Sequence, residues 1–181
     1  MAEVQHLFAC LVHRFPMKEL AEAEAIENKG FRGCIHGRPN SERQVLLMDR
    51  ETLDKFELSP GVVKENITVT GLDFRNLGVG QRLKIGESLL EITTPCNPCP
   101  RMDEIRMGLQ EKLRGQRGWL CRVVAAGTIR RGDAIVVMAD LAAEATWNFL
   151  KPESTDDFNE KGKARAGWNI DGVGYGPAGD E

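Results

Sequence analysis

Between Pro95 and Arg101 the chain reads "PCNPCPR", two cysteines three positions apart with three prolines interleaved. A dithiol at this spacing suits a redox pair, half of a zinc site, a cofactor ligand, or two buried thiols. Proline is tolerated at the first position of a helix, so Pro100 is expected to open one near Arg101, with Cys99 at its N-cap. A thiol there faces unpaired backbone N–H groups, the positive end of the helix dipole and the charge of Arg101, all of which favour the thiolate. Cys99, rather than Cys96, is therefore the candidate nucleophile and soft-metal ligand. The plain alternative is that both are small buried hydrophobes, as most free cysteines are. The prolines weigh against it, because they fix the backbone where burial alone would not require it.

Competing chemistries are weaker. A thioredoxin-like role needs the dithiol inside a βαβ framework, and here a β-hairpin is expected just before it. A structural zinc site needs four ligands. Cys34 and His36, in "CIH", would have to join Cys96 and Cys99, which defines the alternative reading of the chain as a non-enzymatic thiol or zinc module. Hydrolase chemistry needs a base beside the nucleophile. His6 and His13 fall on an expected strand, which leaves His36 as the loop histidine free for such work.

The elements that must position these residues are mostly strands. "VQHLFACLVH" is apolar and β-branched, and predicts a buried strand from Val4 to Arg14. "MKELAEAEAIENKG" is built of helix formers ending at Gly30, and predicts a helix over Met17 to Lys29. "FRGCIHGRPNSE" reads as a loop leading into a buried strand at "RQVLLMD", and "RETLDKFEL" as a short helix. From Gly61 onward come short strands with glycine-containing turns: "ENITVTG", "QRLKIG", "SLLEITT", "GWLCRVVAAG" and "AIVVMA". "LKIGESLLEI" has the alternation of a hairpin about Gly86-Glu87. A helix at "MDEIRMGLQEKLR" interrupts the series. With no sustained βαβ rhythm, the pattern predicts a mainly β fold with a few helices, a closed or partly closed barrel rather than a doubly wound sheet.

Length and composition bound the rest. The 181 residues suit one compact domain, expected over 1–140. A short helix at "LAAEATWNFL" and a tail rich in glycine and charge are expected over 141–181, too polar to bury much surface alone. An apolar fraction of 41%, a charged fraction of 28% and a net charge of −3 give no basic footprint, which argues against nucleic acid. The apolar N-terminal run is broken by Gln5, His6 and His13, unlike a signal peptide or membrane span. A cytoplasmic, reducing location is expected, where five cysteines are free thiols, ligands or catalysts.

Taken together, "GFRGCIHGRPNSERQVLL", "KENITVTGLDF", "VGQRLKIGESLLEITTPCNPCPRMDEI" and "GWLCRVVAAGTIRRGDAIVV" resemble the MOSC domain, named for the C-terminal domain of molybdenum cofactor sulfurase. The likeness runs from about Val4 to Met138. Its most specific pieces are the cysteine segment, "RQV", "EN" before a strand, and the "GxIxxGD" of Gly127 to Asp133. It implies a MOSC-type β-barrel that binds molybdenum cofactor, a molybdopterin. Cys99 is implied as sulfur carrier or molybdenum ligand, in a sulfur-transfer protein or an oxidoreductase acting on N-hydroxylated compounds. His36 matches a family "GDxH" loop in which Cys34 replaces the aspartate. Arg43 and Gln44 of "RQV", Asn66 of "EN", Arg101 beside the thiol and Arg122 in the last long strand are the implied cofactor-binding residues. A solvated strand edge for Arg43, a salt bridge for Arg122 and a turn for Asn66 are the structural alternatives. The chain has no room for the pyridoxal-phosphate desulfurase domain of larger relatives and no lysine motif to anchor pyridoxal phosphate. Sulfur or electrons would come from a partner, a cysteine desulfurase or an electron-donor protein.

Overall fold

The computed structural model describes residues 1–138, as one compact unit. The expected helix at "LAAEATWNFL" and the expected tail lie outside the described residues.

Beside one 3-10 turn at Phe74–Asn76, eleven strands and three short α-helices make up this part. In chain order they are β1 (Glu3–Ala9), β2 (Lys18–Leu20), β3 (Glu22–Ile26), β4 (Gly30–Phe31), β5 (Val45–Asp49), α1 (Arg50–Lys55), β6 (Ile67–Thr70), β7 (Arg82–Ile85), β8 (Ser88–Pro95), α2 (Arg101–Ile105), α3 (Leu109–Lys112), β9 (Trp119–Ala125), β10 (Gly127–Arg130) and β11 (Ile135–Val137). Eight strands form one sheet in the order β11-β7-β8-β9-β5-β6-β1-β2, and the other three form a small sheet in the order β10-β3-β4. All pairings are antiparallel except β5 with β6. A parallel pair needs a crossover, and α1 sits in it, its first turn capped by Asp49, whose carboxylate accepts from the Thr52 N–H at 2.8 Å.

The alternation of β5 divides the interior. Val45 and Leu47 join the main core with Leu7, Phe31, Ile67, Leu83, Leu90, Ile92 and Ile129, side chains from both sheets. Met48, on the opposite face, packs under the helices with Leu53, Met102, Leu109 and Leu113. Leu46 makes a third, smaller cluster with Cys96 and Leu120. Each fully buried aliphatic side chain contributes about 1.5–3 kcal/mol relative to exposure. The main core, which holds the most such residues, therefore carries the fold, and the small third cluster carries little.

The mainly β character with a few helices is as expected, with three corrections. The ladder does not close into a barrel. The inner edge of β1 pairs with β6, and its C-terminal half also pairs with β2. Residues 132–135 meet its N-terminal half at one isolated bridge, Glu3 with Ala134. Met17 to Lys29 is not a helix. Ala23 and Ala25 are buried while Glu22 and Glu24 are exposed, a period of two, and pairing with β10 and β4 overrides the helix propensity of Ala and Glu. The single helix expected at "MDEIRMGLQEKLR" is broken into α2 and α3 at Gly108, whose φ of +79° is the left-handed conformation that glycine adopts freely.

One glycine is required by close approach. Gly118, just before β9, has φ +83°, and a Cβ there would overlap the carbonyl oxygen of Leu47 in β5. Gly115 has φ +70° with open space around it, and so isolates the conformational cost. Gly115→Ala is expected to cost about 1 kcal/mol and Gly118→Ala a further 1–3 kcal/mol or so, read as the difference between their urea unfolding midpoints. Equal midpoints would mean that the β5–β9 contact yields freely.

Candidate functional site

A cavity of about 530 Å³ opens where β5 begins between β6 and β9. Arg38, Arg43, Lys64, Arg117, His13 and His36 line it together with Gln44, Asn66 and Cys96, and among the described residues no aspartate or glutamate does. Such a lining raises the local concentration of anions.

Two buried amides build its floor. The β5–β6 ladder begins only at Leu47. One residue earlier, the Leu46 N–H donates to Asn66 Oδ1 at 3.1 Å, while Asn66 Nδ2 donates to the Phe8 carbonyl at 3.1 Å and to Cys34 Sγ at 3.5 Å. Gln44 does the same on the other side of β5. Its Oε1 accepts from the Val123 N–H at 2.9 Å, and its Nε2 donates to Asn28 Oδ1 at 3.3 Å. Both side chains reach the cavity wall, with hydrogen bonds already committed to the strands. Arg43 differs, since its guanidinium makes no hydrogen bond or ion pair among the described residues. His36 is partly buried in the loop after β4. Burial, followed by the charges of Lys64, Arg101, His13 and Arg38, pushes its pKa below the usual histidine value.

The cysteine segment enters the cavity through Cys96. Its N–H donates to the Gly118 carbonyl at 2.9 Å, which ties the end of β8 to the start of β9 and sets the thiol beside Arg117. Arg117 Nη1 donates to Cys96 Sγ at 3.2 Å and to the Asn97 carbonyl at 3.2 Å, and Nη2 donates to the Val63 carbonyl at 2.9 Å. Burial pushes the Cys96 thiol up, against the pull of Arg117 and Arg43. Cys99 is half-buried and packs beside Phe56 and Val62 on the cluster under the helices. It does not cap α2 with its side chain. The cap is Pro100, and the Cys99 carbonyl accepts from the Met102 N–H at 2.9 Å.

Of the residues singled out from the sequence, His36, Arg43, Gln44 and Asn66 come together in this cavity. Arg101 lines an adjoining cavity of about 450 Å³ that shares Lys64, near enough for its charge to act on His36. Arg122 lies elsewhere on the sheet, paired with Glu91 at 2.7 Å. Among the described residues no group of three or more His, Cys, Asp or Glu could hold a metal ion, so Cys34, His36, Cys96 and Cys99 do not form a four-ligand cage. Cys34 is turned into the core, where its sulfur accepts from the Cys10 N–H at 3.4 Å. Arg117, Lys64, Arg38 and His13 were not expected here. Arg117 reaches Cys96 across 21 positions of sequence only because β8 and β9 pair, and no spacing rule signals that.

Comparison with known proteins agrees with this architecture. Aligned over 83 residues with a reductase from Gibberella moniliformis, the chain is 31% identical; the match covers 43% of this chain and 15% of that much longer protein. Among solved structures, YiiM from Geobacillus stearothermophilus superposes with a TM-score of 0.63 at 16% identity, covering 77% of this chain and 76% of that one. The YUAD protein from Bacillus subtilis gives 0.62 at 19% identity, covering 75% and 94% respectively. At these identities the structures speak for the fold alone. The family profile of the MOSC domain matches residues 32–136, more than half of the chain and the whole stretch from the His36 loop to β11. With that match the chain belongs to the MOSC domain family.

Proposed function

We propose that this chain binds molybdenum cofactor at the cation-lined cavity, with residues 1–140 as the binding domain and with Cys99, which stands outside the lining but close enough for its charge to act on Cys96, as sulfur carrier or molybdenum ligand. The observation that carries the reading is the charge of the lining: among the described residues, four basic side chains and two histidines with no carboxylate. Such a wall fits a phosphate-bearing pterin, and Arg117 adds a buried Nε with no hydrogen-bond partner. Arg43, free of internal partners, and Arg38 and Lys64 at the wall would hold the anionic groups. His36, neutral at pH 7, would accept or donate one hydrogen bond. Gln44 and Asn66 keep the floor rigid. Arg101 adds positive potential from the adjoining cavity, and Arg122, bound to Glu91, has the weakest case.

Bound there, the cofactor would supply a molybdenum centre for two-electron chemistry, or in the carrier branch the acceptor of sulfur. The likeness to a protein described as a reductase, over 83 aligned residues, supports the first branch, for which N-hydroxylated compounds are the proposed substrates. Either branch calls for a partner, an electron donor or a cysteine desulfurase.

Two measurements test this reading. Wild type and Cys99→Ser would be purified from a host that makes molybdenum cofactor, and molybdenum, zinc and released pterin counted per chain. Molybdenum is expected with wild type and lower by about tenfold or more in the variant. Zinc in its place, or unchanged molybdenum in the variant, would overturn Cys99 as the ligand. The second measurement follows His36. Its folded pKa lies below its unfolded value, near 6.5, so the unfolded chain binds the extra proton first as pH falls. The stability due to neutral His36 is complete above about pH 6.5 and is lost as pH drops through the folded value. Relative to His36→Asn, wild type should lose stability over that window in urea titrations at stepped pH, and bound phosphate, by favouring the imidazolium, should shrink the loss.

A further inference from the structure

The two buried side-chain atoms without a hydrogen-bond partner among the described residues are Glu65 Oε2 and Arg117 Nε. Both belong to residues almost wholly removed from solvent, Glu65 at 0% and Arg117 at 7% exposure. Glu65, next to the cavity residues Lys64 and Asn66, receives the Gly61 N–H at 2.5 Å and the Thr68 hydroxyl at 3.0 Å on its other oxygen. The charge of Arg117 acts on it, yet no carboxylate lies within ion-pair distance of Arg117 among the described residues. A buried guanidinium stays protonated and is costly without a counter-charge. Two acids share its field, the Cys96 thiol at 3.2 Å on the cavity side and the Glu65 carboxyl, on which the charge of Arg117 acts. Burial opposes ionisation of both. One negative charge satisfies the arginine, and the two acids compete to supply it.

We propose that Cys96 is a second working thiol of this cavity, a nucleophile for small anionic soft electrophiles, and that Arg117, together with Glu65, sets its charge. With Glu65 neutral, Arg117 holds Cys96 as the thiolate. With Glu65 ionised, the arginine is already balanced and Cys96 keeps its proton. The other charges acting on Cys96 are Arg43, which also favours the thiolate, and Cys99, which opposes it. The cation-rich lining draws anionic reagents to the sulfur, whereas Cys99, packed on the apolar cluster under the helices, lies outside that lining. Glu65 and Arg117 act as positioning residues. The inference stands whether or not the cavity takes molybdenum cofactor.

The test uses the full chain without cofactor. Iodoacetate and iodoacetamide are applied separately, and the alkylation of Cys96 and Cys99 is followed by peptide mass spectrometry across pH. In each case the thiolate sulfur attacks the methylene carbon, the S–C bond forms and iodide leaves with the electron pair. The ratio of iodoacetate to iodoacetamide rates should be about tenfold higher at Cys96 than at Cys99 in low salt, and should fall as salt is added. Glu65→Gln should lower the pH midpoint of Cys96 alkylation by about one pH unit, and Arg117→Met should raise it by a similar amount. Loss of packing alone would not move the two midpoints in opposite directions. Folding of each variant is checked by circular dichroism, and if either is unfolded the wild-type rate ratio decides. An inert Cys96 in the folded protein, equal ratios at the two cysteines, or variant midpoints that coincide with wild type would each overturn the proposal.

Discussion

The site depends on how β5 starts. At its first residues the strand is paired with β9 but not yet laddered to β6, and a backbone N–H left unpaired in the interior costs about 1–3 kcal/mol. The Asn66 and Gln44 amides supply the missing partners, one to Leu46 and one to Val123. The start of β6 can therefore stay apart from β5 without a penalty in broken ladder bonds, and the cavity opens beside that gap. A buried amide that stands in for backbone pairing is fixed by the bonds it makes, so Asn66 and Gln44 hold the floor in shape.

On that floor the charges are arranged asymmetrically. Several exposed cations elsewhere on the domain have carboxylates beside them: Arg32 with Glu24, Arg75 with Asp73, and Arg130 with Glu22 and Glu87. Around the cavity such pairing stops. Lys64 is held by a carbonyl, that of Phe15, at 2.8 Å, Arg117 by carbonyls and a sulfur, and Arg43 by nothing among the described residues. Neutral partners orient a cation without cancelling its field. The positive potential therefore survives in the cavity, in a protein whose net charge is −3.

Much of the sheet was legible in the sequence because its signals are local. The alternation about Gly86-Glu87 marks the β7–β8 hairpin, where Ile85 stands opposite Ser88, and the apolar run "VLLMD" marks a strand buried on both faces. The stretch over Met17 to Lys29 misled because Ala and Glu favour a helix in isolation, while in the fold Ala23 and Ala25 have a second sheet to face. The site was legible only where one loop or strand start contributes it, as with His36, Arg43 and Gln44. Arg117 and Lys64 come from turns whose side chains acquire a role only once distant strands pair. Cys96 and Cys99 show the limit most sharply. Local capping logic placed Cys99 at the N-cap, a position that Pro100 takes, and the tie from the Cys96 N–H to Gly118 sets Cys96 at the cavity wall.

The divided edge of β1 bears on how such a unit can be used. Because Glu3 bridges to Ala134, and the Ile135 N–H donates to the Ala2 carbonyl at 2.9 Å, the polypeptide comes in and goes out of this domain at neighbouring points. A domain with adjoining ends can be grafted between two halves of another without stretching either.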